Sequence, residues 1–225
     1  MMNSLSKTEK IWIAIVVGAA WGLAEALVGM YMRNTVAYGM TGSIMTGIVV
    51  LVLAFGYGAI RQYHLLFISL AMVVLFKLLD AWLLHLPVVH GAVGNPIFAI
   101  ILEALAFVLV INVIRPELKS KLHGQALIGA LYALIAVSVF PLVRYFTGLP
   151  ACVVKGTNYP LSLYYSWLAI SISVVTYPIG QFLGERLTET LTAEQPFAVA
   201  LHNRLRVVLP GMAAALLVIA ILIRL

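Results

Sequence analysis

Residues Ile11–Tyr31 read IWIAIVVGAAWGLAEALVGMY, and Glu25 is the one charged residue among them. A membrane-spanning helix needs about 20 predominantly apolar residues, and this stretch supplies them. Lys7 and Lys10 precede it, as in a secretory leader. The apolar run continues to about Met32, however. It therefore exceeds the roughly 7–15 residues of a leader's apolar region, and the stretch reads as a retained first span.

Six further stretches repeat the pattern: Thr41–Ile60, Leu65–Leu86, Pro96–Ile114, Ala126–Phe146, Leu161–Leu183 and Val207–Ile223. The composition agrees, with 63% hydrophobic and 10% charged residues in 225, where a soluble domain carries about 25% charged. The expected fold is an all-α polytopic bundle of about seven transmembrane helices, with residues 1–225 forming one integral membrane domain. Asn95-Pro96 predicts the start of the fourth helix, with Asn95 as N-cap. Arg115-Pro116 predicts its end, and Pro178 predicts a kink in the sixth. The connections are expected at Met32–Met40, Arg61–His64, Pro87–Asn95, Arg115–Gln125, Thr147–Pro160 and Gly184–Arg206. With one cysteine, Cys152, no intrachain disulfide and no Cys-based metal motif is possible.

Orientation follows from the basic residues. With the N-terminus inside, nine lie on inner segments (Lys7, Lys10, Arg61, Arg115, Lys119, Lys121, Arg186, Arg204, Arg206) and four on outer ones (Arg33, Arg144, Lys155, Arg224). That excess predicts an N-in, C-out, multi-pass protein of the cell membrane. The net charge of +6 then points to anionic lipid and not to nucleic acid. Tyr145, Phe146, Tyr159, Tyr164, Tyr165 and Trp167 read as an outer interfacial belt or as the wall of a ligand site. The inner loop Glu185–Arg206, which includes Glu194, Phe197, Val199, Leu201 and His202, reads as an interfacial amphipathic helix or a docking surface.

The charges at membrane depth carry the functional signal: Glu25, Lys77, Asp80 and Glu103. Each costs about 2.5–3.5 kcal/mol if left alone at a helix centre, so they are expected to pair or to line a wet cavity. Glu103 lies about 10 Å inward from the outer start of its helix at about 1.5 Å per residue, and Glu25 and Asp80 fall at similar depth. Lys77 and Asp80 are i, i+3 and share a face; Asn95, Ala99 and Glu103 line another. Trp21 and Glu25 are i, i+4. Gly18, Gly22 and Ala26 form a small-residue stripe, and Ala20 and Ala24 a second, where helix backbones can approach closely. Two readings compete. In one, Lys77 closes an ion pair and the cluster only locks the helices. In the other, Glu25, Lys77, Asp80, Glu103, Trp21, His85 and Asn95 surround a solute site with excess negative charge, suited to a cation. Asp80, His85, His90 and Glu103 are also candidate metal ligands by donor type, although His85 and His90 are five apart and miss the spacing of two ligands on one helix face. Arg144 is expected to snorkel to the interface or to bind a carboxylate. His64 and His123 read as inner interfacial residues. No hydrolase, zinc or nucleotide-binding motif occurs, so neither catalysis nor a cofactor is expected.

Ala20-Trp-Gly-Leu-Ala24 resembles the Ala-x-x-x-Ala docking motif of the substrate-binding S components of energy-coupling-factor vitamin transporters. The chain length, the outer polar cluster and the outer loop Met32–Met40 are also similar. The family has six helices, against seven read here. The resemblance implies binding of a vitamin-like solute or a metal ion from outside, and partnership with a membrane scaffold and ATPase subunits. The expected function is thus recognition and uptake of a small solute. The alternatives are an anchor or scaffold subunit of a larger complex, which predicts a closed Lys77–Asp80 pair and no cavity reaching outside, and an intramembrane enzyme acting on lipid, which predicts a site opening sideways between helices.

Overall fold

The computed structural model describes residues 5–35, 39–193 and 196–224. They form helices α1 (Lys7–Thr35), α2 (Thr41–Ile60), α3 (Leu66–Leu83), α4 (Gly94–Val113), α5 (Pro116–Lys119), α6 (Leu122–Val139), α7 (Val143–Thr147), α8 (Leu161–Tyr164), α9 (Ser166–Thr192) and α10 (Pro196–Arg224). One isolated bridge pairs Val153 with Pro160. The protein is an all-α polytopic bundle. Six spans among the described residues are long and apolar enough to cross a membrane: Lys7–Val28, Thr41–Ile60, Tyr63–Leu83, Gly94–Val113, Leu122–Thr147 and Ser166–Thr192. The seventh expected span, Val207–Ile223, is a shorter apolar stretch of α10.

The first helix starts on a reciprocal cap. The Ser6 backbone N–H donates to Glu9 Oε2 at 2.8 Å, and the Glu9 N–H donates to Ser6 Oγ at 3.3 Å, satisfying two backbone donors that the helix leaves unpaired. The Gly18–Gly22 stripe then does what its spacing predicts. A Cβ on Gly18 would fall 2.5 Å from the Ser69 carbonyl oxygen, and one on Gly22 would fall 2.6 Å from the Phe76 ring. Helix α3 therefore lies directly against α1, and the Ser69 hydroxyl seals the contact with a 2.7 Å bond to the Ala14 carbonyl. This approach sets Glu25 of α1 opposite Lys77 of α3.

The most extensive helix pair is α2 with α9. They run parallel: Gly47 meets Ile172, Gly180 meets Leu51, and Gly184 meets Phe55 and Ala59. At Gly184 an added Cβ would strike the Phe55 carbonyl and lie 2.8 Å from the Ala59 nitrogen, so main chain would have to move. Overpacking costs about 1–3 kcal/mol even where side chains can yield. Gly184→Ala should therefore lower the thermal unfolding temperature in detergent sharply. Gly211→Ala, where a Cβ meets nothing within 4 Å, should leave it unchanged or raise it. Trp21 of α1, Phe107 of α4, Tyr132 of α6 and Tyr177 of α9 are the largest side chains of the core.

Three expected boundaries shift. Asn95 does not cap α4: Val93 holds that position without a side-chain cap bond. The chain enters α4 through a turn in which the Val93 and Gly94 N–H groups both donate to the His90 carbonyl at 2.8 Å. Asn95 and Pro96 fall inside the first turn. At the other end Arg115-Pro116 acts as expected, since α4 stops at Val113 and Pro116 opens α5. The segment Gly184–Arg206, expected as an inner connection, is mostly helix. Helix α9 runs on to Thr192 because its polar residues find partners: Thr188 Oγ1 donates to the Ala59 carbonyl at 2.7 Å, and Glu185 lies 3.6 Å from Arg61. Helix α10 already begins at Pro196, and the backbone of His202 and Arg206 belongs to it. Glu194 lies outside the described residues, as do positions 36–38 of the expected loop Met32–Met40. Helix α9 continues through Pro178.

Candidate functional site

A cavity of about 780 Å³ opens where the C-terminal parts of α1, α3 and α6 meet the N-terminal ends of α2, α4 and α8. This end is opposite the one that carries the N-terminus. Glu25, Lys77, Asp80, Asn95 and Glu103 all reach its wall, so carboxylates from three separate helices do converge. Ala99 lines it between Asn95 and Glu103, as their common face on α4 requires. Leu102, Ala136, Val137 and Phe140 supply apolar wall.

The polar residues divide into two groups. In the first, Lys77 Nζ sits 3.7 Å from Glu25 Oε2 and 3.6 Å from Asp80 Oδ2. The three side chains are 8%, 12% and 14% exposed. One ammonium is thus shared by two acids on two helices, which both ties α1 to α3 and keeps charge on the wall. In the second group Glu103, 6% exposed, has its Oε1 at 2.9 Å from the Thr46 hydroxyl. That hydroxyl is also 3.1 Å from the Gly42 carbonyl. The Tyr132 phenol reaches the Thr46 carbonyl at 3.5 Å.

The other expected site residues lie at the rim of the cavity or outside it. Trp21 is fully buried one turn below Glu25 and packs in the core without reaching the cavity wall. Asn95 accepts a bond from the Thr147 hydroxyl at 3.1 Å through Oδ1, which joins α4 to α7 at the rim. His85 is outside the cavity. It has φ +51°, the left-handed conformation that closes a helix end, and this turns it out to solvent. His90 is on the rim, where its Nδ1 accepts the Ala92 N–H at 3.2 Å. Among the described residues no three His, Cys, Asp or Glu groups converge as a metal site. The candidate set Asp80, His85, His90 and Glu103 is not assembled, because His85 is exposed outside the cavity and the Nδ1 of His90 is taken by its own loop. Arg144 is exposed with its guanidinium 4.7 Å from the Tyr145 ring centre and is absent from the cavity wall, in keeping with interfacial snorkelling.

His85 gives a direct check on this reassignment. A non-glycine residue in the left-handed region costs about 1–2 kcal/mol, and glycine avoids that strain. His85→Gly is expected to raise thermal stability slightly and to leave binding of any cavity ligand unchanged. A loss of binding would return His85 to the site.

Sequence reading passed over Ser43 and Thr46. They are i, i+3 on α2 and both line the cavity. Two hydroxyls on one helix face, just inside an apolar span, were the available signal. Cys152 at the mouth and Leu161 and Ser162 of α8 carried none. No family model, no curated protein and no solved structure matches the chain.

Proposed function

We propose that the protein recognises a small organic solute bearing a cationic group in this cavity and takes part in its uptake across the cell membrane. The observation that carries the reading is Glu103, a carboxylate enclosed by protein, on the wall of a cavity, bonded to one hydroxyl. An enclosed carboxylate is tolerable when a positive group or several donors face it. Lys77 is committed to Glu25 and Asp80, so a solute ammonium is the natural partner for Glu103. The volume falls within the roughly 300–1,000 Å³ of pockets that hold small molecules. By the count of basic residues the cavity end faces outside.

A pure anchor subunit has no use for such a cavity. A lipid-processing site would open between helices, whereas this rim is built from helix ends and the loops joining them. The similarity to S components adds an expectation about partners, a membrane scaffold with ATPase subunits. On α1, Ala20 and Ala24 are half-buried and lead to the exposed Leu27, so this strip is open to a neighbour. Purification from native membranes should recover such subunits, and Ala24→Trp should release them.

The solute itself is found by screening. Purified protein is heated with vitamins, aromatic and aliphatic amines, amino acids and divalent metals. Stabilisation by amine-bearing compounds, and not by their neutral hydroxyl analogues, supports the reading. Stabilisation by carboxylates alone, or by nothing in the panel, counts against it.

A further inference from the structure

Four polar residues lie along α9 at intervals of four: Ser173, Tyr177, Gln181 and Glu185. That spacing places them on one face of the helix. The face is turned into the bundle, since Ser173 and Tyr177 are fully enclosed and Gln181 is 5% exposed. Val175, Ile179 and Phe182, on the other side of α9, are exposed on the bundle surface. Ser173 Oγ, Tyr177 Oη and Gln181 Oε1 are all buried without a hydrogen-bond partner in the protein.

Buried polar atoms in folded proteins find partners, and where protein supplies none, ordered water does. Inside a bilayer the need is stronger, because surrounding lipid offers no donor or acceptor. One such atom could be a local accident. Three in register on one helix face share the same missing partner.

The row also has two defined ends. Ser173 is the end nearer the cavity, since α9 runs parallel to α2 and the N-terminal end of α2 lines the cavity. The Thr176 hydroxyl, on the adjacent turn, donates to the Gly47 carbonyl at 2.8 Å, next to the Thr46 that bonds Glu103. At the other end Gln181 Nε2 donates to Glu185 Oε1 at 3.2 Å, and Glu185 pairs with Arg61, whose side chain is 72% exposed. The span from Ser173 to Glu185 is about 18 Å at about 1.5 Å per residue. The Phe107 ring packs 6.0 Å from Tyr177 and 6.3 Å from Tyr132, so the row skirts the same aromatic core that backs Thr46.

We infer that this face of α9 holds a file of water joining the cavity floor to the opposite face of the bundle, and that the file passes protons. Hydroxyl and phenol groups both donate and accept, which is what proton hopping requires of the groups that line a water file. Helix α9 is closed against α2 at Gly180, Gly184 and Gly58 and against α6 at Gly129 by backbone contact, so no organic solute can pass along it. Glu103 and Glu185 stand as the acidic groups at the two ends. Such a file lets a proton gradient act on the cavity within this one chain. It goes beyond solute recognition and does not rest on it.

Two measurements on the full chain in liposomes test the proposal. X-ray radiolysis with mass spectrometry oxidises side chains that touch water. Tyr177 should be oxidised although it is enclosed, while Phe76, packed between α1 and α3, should not. Proton entry under a potassium diffusion potential, read with a trapped pH dye, should exceed that of protein-free liposomes. It should fall to their level in Tyr177→Phe and in Gln181→Leu variants that still elute as folded protein. No oxidation at Tyr177 overturns the water file. Oxidation with no proton entry, or with entry unaltered in both variants, overturns proton passage. A solute screen that finds no ligand leaves both readouts intact, so the two proposals fail separately.

Discussion

Glu103→Gln is expected to weaken binding of an amine-bearing solute by roughly 30-fold to nearly 1,000-fold, with no loss of stability in the empty protein. The substitution keeps shape and keeps an oxygen for the Thr46 hydroxyl at its 2.9 Å position, so packing is preserved. What disappears is the negative charge facing the solute. Removing one partner of an enclosed, hydrogen-bonded charge pair costs about 2–4 kcal/mol, and each 1.4 kcal/mol is about tenfold in affinity. The empty protein should tolerate the change well, because a neutral amide is cheaper to enclose than a carboxylate. Thr46→Val should weaken binding less, since it removes one neutral bond of about 0.5–1.5 kcal/mol. Isothermal calorimetry with an amine found by screening, together with thermal unfolding of the unliganded variants, separates the two effects. Equal loss of stability and affinity in Glu103→Gln would mean that the residue serves packing alone.

Lys77→Met is expected to behave in the opposite way, with a large loss of stability. The ammonium sits between Glu25 and Asp80 at 3.7 and 3.6 Å, with all three side chains at least 86% enclosed. Breaking a buried pair by removing one partner costs about 3–5 kcal/mol, because a charge remains without compensation. Methionine fills nearly the same volume, so the loss reports charge and not a void. The double variant Lys77→Met with Glu25→Gln should recover part of the stability, since the α1 acid is then neutralised together with its partner. Thermal unfolding of the four proteins of this cycle gives the coupling directly. Additive effects would show that Glu25 and Lys77 do not interact in the folded protein.

Why were some features legible in the sequence and others not? Spans such as Thr41–Ile60 are visible because lipid demands about 20 apolar residues, and α2 has those bounds. Gly18 and Gly22 announce a close helix contact by spacing alone, and α3 lies there. Glu25, Lys77, Asp80 and Glu103 stand out because a charge in hydrocarbon is expensive, and all four reach one cavity. Thr46 does not stand out, because a hydroxyl in an apolar helix is cheap and often bonds its own backbone, as it also does here with Gly42. His85 misleads for a different reason. Its residue type suggests a ligand, while its position is decided by the helix end it closes at φ +51°. Glu185–Arg206 mixes charges with apolar residues, which leaves an interfacial amphipathic helix and a docking surface both open, and most of it is helix. The helix there is held by contacts such as Thr188 with Ala59, 129 positions apart, which no local pattern contains. The α9 polar face was readable as a four-residue period, but only burial reveals that its atoms lack partners.

The most direct test is an experimental structure of the protein with a bound amine from the screen. The account predicts ligand density in the cavity, with the ligand's nitrogen within hydrogen-bonding distance of Glu103 and its remainder against Ala99, Val137 and Phe140. Density outside the cavity, or a ligand whose nitrogen avoids Glu103 for another group, would contradict it.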